Sequence, residues 1–259
     1  MSKATPLRIA MWSGPRNIST ALMRSFENRP DCVVSDEPLY GAWLAATGEP
    51  HPMAAKIIAE MECDYGRLFD TLTGPVPGNR PLWYQKHMCH HLLDDTPLDW
   101  LGALCNVFLI RHPRRVVASY LKMRDRISPE AIGLPQQWRL FRFCREQTGT
   151  TPLVVDSDRF LEQPEAQLRQ LCERLGIPFT EAMLSWPAGP RDSDGIWAPH
   201  WYRAVWKSTG FAPPRGSVDS LPEAGEAVVD SCLPIYQKLR VHAIDIQSSS
   251  GPLNARDEG

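Results

Sequence analysis

A three-layer α/β/α fold around a central, mainly parallel sheet is what this 259-residue sequence predicts, and three observations carry the expectation. Short apolar runs alternate with stretches of helical spacing along the chain, the pattern of a parallel sheet covered on both faces. The clearest run, residues 104–110, is apolar except for Asn106, as a strand buried on both sides should be. The runs end in turn-forming and charged groups, Ser13-Gly14-Pro15, Asp36-Glu37-Pro38 and Arg111-His112-Pro113. Reactive side chains therefore collect at strand carboxyl ends, where open parallel sheets bind their ligands.

The elements follow in order. Residues 7–12 read as the first strand, and Ile18, Leu22 and Phe26 recur at helical spacing over 18–27. Residues 32–35 form a second strand that Pro38 stops, because proline cannot continue a central ladder. Residues 41–80 hold weak helical stretches at 53–61 and 65–72, then a Gly/Pro link at 74–78. Strands are expected at 82–85 and 104–110, and Pro113 suits the first turn of a helix over 114–124. A helix over 136–147, a strand at 153–155 and an amphipathic helix through Leu168, Leu171 and Leu175, closed by Gly176, come next. The Pro-, Gly- and Trp-rich stretch 178–216 reads as a long ordered loop, and a last helix as 221–239. The expectation is a single domain over 1–246 and a flexible tail over 247–259.

Composition excludes several classes. Hydrophobic residues at 43% and charged residues at 22% suit a globular chain and not a disordered one. Lys plus Arg number 28 against 30 Asp plus Glu, a net charge of −2, so no global field would hold a nucleic acid. No apolar run approaches the roughly 20 residues of a membrane helix. The apolar stretch 7–12 is interrupted by Arg8 and too short for a secretory leader, which points to the cytoplasm. Seven cysteines without a CxxC pair read as reduced, buried side chains rather than metal ligands.

The loop Ser13-Gly14-Pro15-Arg16-Asn17-Ile18-Ser19-Thr20 joins a strand to a helix. Its N–H groups and the helix dipole suit an anion, with an arginine and two hydroxyls beside them, although an ordinary solvated loop fits as well. A nucleoside triphosphatase loop does not fit: aligning Ser19 with its hydroxyl sets Ile18 at the lysine and Asn17 at the second glycine. After the next buried strand, Arg111 sits just before a helix, and Ser119 lies nearly two turns along the same side, so both could hold one anionic group. Arg114 and Arg115 read as a solvated face. Lys207-Ser208-Thr209-Gly210, late in the chain, is either a surface turn or a further anion loop.

Together these segments resemble the sulfotransferase family, whose members transfer a sulfuryl group from 3′-phosphoadenosine 5′-phosphosulfate (PAPS) to a hydroxyl or amine. Pro15-Arg16-Asn17-Ile18-Ser19-Thr20 is similar to the family's 5′-phosphosulfate loop, with Asn17-Ile18 in place of the usual Ser-Gly. Arg111 and Ser119 are similar to its 3′-phosphate-binding pair, and residues 206–211 to the segment that closes over the nucleotide. Asp36-Glu37-Pro38, Lys86 with His90-His91, and Trp201-Tyr202 further resemble a bacterial subgroup of uncharacterised substrate. The resemblance implies a P-loop-like sulfotransferase fold, PAPS as donor, a small-molecule acceptor, and cofactor contacts from Gly14 to Thr20, at Arg111 and Ser119, and from Lys207 to Gly210. No pattern marks a pyridoxal site.

The chemistry agrees with that implication. In-line displacement at sulfur requires positive charge on the oxygens, a held leaving group and a base for the acceptor. A sulfuryl group carries less charge than a phosphoryl group, so arginine and lysine can replace magnesium, and no metal is expected. Arg16 and Lys86, each near a strand's carboxyl end, are candidates for the leaving oxygen. Glu37 is a candidate base, or else a carboxylate that orients a cation. His87 is the other candidate base. Registering Lys86 on the lysine of the family's common Lys-Thr-His puts Met88 where that histidine stands. Trp186, Trp197, Trp201 and Trp206 either wall an acceptor pocket or pin the long loop. A phosphotransferase using ATP and magnesium, and a non-catalytic nucleotide-binding protein, are the alternatives. The assembly is left open between a single chain and a homodimer.

Overall fold

The structure, a computed structural model, describes residues 5–124, 126–213, 216, 218 and 220–245; the expected tail lies outside them. Five strands form one sheet: β1 (Leu7–Ser13), β2 (Cys32–Asp36), β3 (Leu82–Met88), β4 (Cys105–Ile110) and β5 (Leu153–Asp156). Their order is β2-β3-β1-β4-β5, and every pairing is parallel, so all carboxyl ends open on one edge.

The helices are α1 (Ser19–Glu27), α2 (Tyr40–Thr47), α3 (Ala54–Glu60), α4 (Tyr65–Thr73), α5 (Pro113–Tyr120) and α6 (Leu134–Thr148). There follow α7 (Ser157–Glu162), α8 (Pro164–Leu175), the one-turn α9 (Ala198–Trp201) and α10 (Arg203–Trp206), and α11 (Glu223–Arg240). The period-2 alternation of β1 divides the interior into two cores. Ile9 and Met11 pack with Leu22 and Phe26 of α1, Phe160 of α7 and Leu168 of α8. Ala10 and Trp12 pack on the other side with Leu72 of α4, Val117 of α5, Phe141 of α6 and Leu239 of α11. Each large apolar side chain so buried stabilises the fold by about 1.5–3 kcal/mol. The outcome is the expected three-layer α/β/α arrangement.

Four helices were not foreseen: the one-turn α9 and α10 within the expected loop, and α2 and α7. Residues 40–47 are apolar almost all round, which leaves no 3.6-residue stripe to read for α2. The six-residue α7 starts directly after β5, its first turn capped by Asp156, whose Oδ1 accepts from the Asp158 N–H at 2.9 Å. The strand expected at 82–85 runs on to Met88, and all seven residues of β3 are buried, so no polar alternation marks its end. The described residues of the stretch 178–216 are mostly irregular. Trp197 and Tyr202 from it pack on Tyr40 and Leu44 of α2 and Ile57 of α3, which lays this segment across the carboxyl edge of the sheet. No helix among the described residues is long and apolar enough to cross a membrane.

Candidate functional site

A cavity of about 1260 Å³ opens at that carboxyl edge. Its lining includes Pro15, Arg16, Asn17, Ile18, Ser19 and Thr20 from the loop between β1 and α1. Glu37, directly after β2, and Lys86 of β3 line it, as do Arg111, Arg115 and Ser119 from the segment after β4. No side chain caps the N-terminus of α1, which leaves its first-turn N–H groups to an anion at this edge.

The two arginine loops are joined. Arg111 Nη1 donates to the backbone carbonyl of Arg16 at 2.5 Å, and Arg16 Nε donates to Ser119 Oγ at 3.0 Å. Arg16 stands in the left-handed backbone region at φ 58°, a conformation uncommon for a side chain other than glycine. Asn17, in the place where the family usually has serine, ties the loop down: its amide donates to the Leu109 carbonyl at 3.1 Å, and its Oδ1 accepts from the Ile18 N–H at 2.8 Å. Gln137 clamps the same edge by donating to the carbonyls of Trp12 and Leu109 at 3.0 and 2.9 Å.

The second group of residues is buried. Parallel register sets Asp36 beside Lys86. The Lys86 ammonium donates to Asp36 Oδ1 at 2.8 Å, to Glu37 Oε1 at 2.5 Å and to the Tyr202 hydroxyl at 2.6 Å. Tyr202 in turn donates to Asp36, with Oδ2 at 2.7 Å, and the Gly195 N–H donates to the same Oδ2 at 3.0 Å. Glu37 has φ 44°, a second strained position; its N–H donates to the Lys86 carbonyl at 2.9 Å. Burial, with the Asp36 charge adding to it, raises the Glu37 carboxyl above the ordinary range against the pull of Lys86. Burial alone would lower Lys86, but the Asp36 and Glu37 charges outweigh it and hold the ammonium well above the ordinary lysine range.

Lys86 and His87 part company on the pleat. His87 faces the opposite side of β3, fully buried, its ring stacked on Trp12 at 4.3 Å between centroids and its Nε2 3.1 Å from Gln85 Oε1. Burial pushes its imidazole down from the ordinary 6.5 to about 3. β3 continues past His87 and holds it on the face away from Lys86, so the candidate base does not reach the cavity lining. Other expected site residues also separate. Gly14 is outside the lining; it packs against the turn before α6, where an added Cβ would lie 2.3 Å from the Ile132 carbonyl oxygen. Ser208 and Gly210 line the cavity, whereas Lys207 and Thr209 are exposed and do not.

Some residues take a different place from their sequence reading. Arg114 pairs outside the cavity with Glu226, whereas Arg115 lines it and pairs with Asp158 at 3.2 Å. The helical stagger of neighbouring residues separates them. Trp197 and Trp201 line the cavity, while Trp186 and Trp206 pin the loop by donating to Ser208 Oγ and Asp194 Oδ2. Tyr40, Trp43 and His91 form a ring stack beside Glu37, with Tyr40 and His91 4.6 Å apart between centroids and His91 Nε2 4.0 Å from Glu37 Oε2. No sequence signal marks that stack, which depends on α2. Among the described residues no group of three or more His, Cys, Asp or Glu side chains is placed to hold a metal ion.

Two curated proteins of Arabidopsis thaliana are similar to the chain: "Branched-chain-amino-acid aminotransferase-like protein 2", 38% identical over 236 residues, and "Branched-chain-amino-acid aminotransferase-like protein 1", 37% identical over 241. The alignments take in 90% and 92% of the chain but 41% and 42% of the relatives, so the chain spans less than half of their length. Among solved structures, the sulfotransferase domain from the curacin biosynthetic pathway has a TM-score of 0.52 at 16% identity, covering 88% of this chain and 98% of that one. The sulfotransferase domain from the Synechococcus PCC 7002 olefin synthase has a TM-score of 0.50 at 19% identity, covering 89% and 96%. These structures speak to the fold. The family profile described as "Sulfotransferase domain" matches residues 7–243, and on that match the chain belongs to the sulfotransferase-domain family.

Proposed function

We propose that the protein transfers a sulfuryl group from PAPS to the hydroxyl or amine of a small acceptor. One observation carries the reading: the joined Arg16, Ser119 and Arg111 group and the buried Glu37 and Lys86 group line a single cavity at the strand ends. Arg111, Ser119, Ser19, Thr20 and the first turn of α1 would hold the two phosphates of the donor, as charge-assisted donors do. Ser208 and Gly210 would close over the nucleotide. In this reading Arg16 and Lys86 would stabilise the leaving oxygen and Glu37 would take the acceptor proton, its raised carboxyl being suited to general-base work. We leave His87 out of the mechanism, because it faces the far side of β3.

Bond changes balance. The acceptor oxygen forms a bond to sulfur, the bond from sulfur to the 5′-phosphate oxygen breaks, and its electron pair leaves on adenosine 3′,5′-bisphosphate. The acceptor proton passes to Glu37 and from there to water. Calorimetric titration with adenosine 3′,5′-bisphosphate, in parallel with ATP plus magnesium, tests the donor assignment. Bisphosphate should bind, ATP should not, and Arg111→Ala should lose about 1.5–3 kcal/mol of binding, the worth of a charged hydrogen bond. Preference for ATP with magnesium would replace the reading with a phosphotransferase.

A further inference from the structure

An ammonium has three N–H donors, and Lys86 spends all three inside the protein, on Asp36, Glu37 and Tyr202. It is only 1% exposed, yet it borders the cavity. In this arrangement it has no hydrogen to offer a leaving oxygen. The Asp36 bond has no reason to yield: that carboxylate is itself 1% exposed and is fastened by Tyr202 and the Gly195 N–H. The Tyr202 hydroxyl is oriented by its own donation to Asp36. Glu37 is the one of the three that can release Lys86 by taking a proton, since a neutral carboxyl attracts an ammonium far less than a carboxylate does.

We propose that Glu37 and Lys86 work as a proton-gated pair, in which the proton Glu37 accepts releases one Lys86 N–H to the 5′-phosphate oxygen that leaves sulfur, with Asp36 and Tyr202 as positioning residues that keep the other two N–H groups occupied. This rests on the sulfotransferase reading of the site. The gate ties the two halves of the displacement together. Acceptor deprotonation by Glu37 and stabilisation of the leaving oxygen by Lys86 become one event, and the lysine is not drawn to the donor before an acceptor has surrendered its proton. The groups that face Glu37 are Lys86 of β3, Asp36 of β2, Tyr202 between α9 and α10, Tyr40 of α2 and His91 of the turn after β3. Burial keeps His91 uncharged, so it does not compete for the role of Lys86.

The product already carries the leaving oxygen, so no acceptor has to be identified to test the gate. Binding of adenosine 3′,5′-bisphosphate should be accompanied by proton uptake at Glu37, because only the protonated state frees Lys86 for the 5′-phosphate. Calorimetry near pH 8, where the phosphates are fully ionised, in buffers of different ionisation enthalpy, counts those protons. The wild type should take up about one proton per bisphosphate by linkage, and Glu37→Gln should bind with almost none. Tyr202→Phe removes one acceptor from Lys86 and so leaves it an N–H without protonation of Glu37. That variant should bind bisphosphate with much reduced proton uptake, whereas a merely structural role for Tyr202 would alter affinity and leave the proton count unchanged. Binding by the wild type without uptake, or equal uptake in Glu37→Gln, would overturn the gate while the sulfotransferase reading stands. No bisphosphate binding at all would overturn both.

Discussion

The two ends of the cavity hold their charge in opposite ways. At one end three guanidinium groups line the cavity: Arg111 is joined to the Arg16 carbonyl, Arg16 to the Ser119 hydroxyl and Arg115 to Asp158, whose charge Arg111 also faces. Asp36, Glu37, Lys86 and Tyr202 form a closed set in which the one cation lies between two carboxylates. In the proposed function the first end holds the donor, and its effect should appear in affinity. The second presents little net attraction and has to exchange a proton to act, so its effect should appear in rate and in pH dependence.

The largest test of that contrast is Glu37→Gln. It should lower kcat about 10²- to 10⁴-fold, the usual share of a general base, while bisphosphate affinity at low pH changes little. A loss confined to affinity would erase the distinction between the two ends. The wild-type pH profile adds to this test. Turnover needs the ionised carboxylate, and its folded value is raised, so the acidic limb of kcat should lie above the ordinary carboxylate value of 4.5.

A middle-sized effect concerns the far side of β3. His87 is neutral in the fold down to about 3 but protonates near 6.5 when unfolded. The unfolded chain therefore binds the extra proton between those values, so this contribution to stability is complete above pH 6.5 and drains away as pH falls toward 3. Urea unfolding at several pH values should show His87→Phe losing less stability on acidification than the wild type. At neutral pH the variant should be less stable by about 1–3 kcal/mol, because Gln85 Oε1 loses its partner. The smallest expected effect is at Arg114, whose half-exposed pair with Glu226 lies outside the cavity. Arg114→Ala should change stability little, as exposed ion pairs do, and leave bisphosphate binding as it was. A marked loss of binding there would extend the anion-attracting end beyond Arg111 and Arg115.

Much of the fold was legible because its signals are local. Apolar runs, Pro113 at the start of α5 and Gly176 at the end of α8 each act within a few residues of themselves. The strand-to-helix loops that carry Arg16 and Arg111 stood out for the same reason. Helix α2 was not legible, since residues 40–47 have no polar face, and with it went the ring stack of Tyr40, Trp43 and His91.

The choice between Lys86 and His87 shows where the sequence alone stops. It placed both near the end of one strand, and either could have faced the cavity. The observed extension of β3 to Met88, in register with Asp36, turned Lys86 toward the carboxylates and His87 into the core, because neighbours on a strand point to opposite faces. Asp36 and Tyr202 meet across 166 residues of chain, a distance over which no spacing rule operates. By itself the sequence determined the layers, the edge at which chemistry gathers and the arginines there. Tertiary structure alone decided which side chains share the cavity, because that depends on strand register and on a long loop folding back over the sheet.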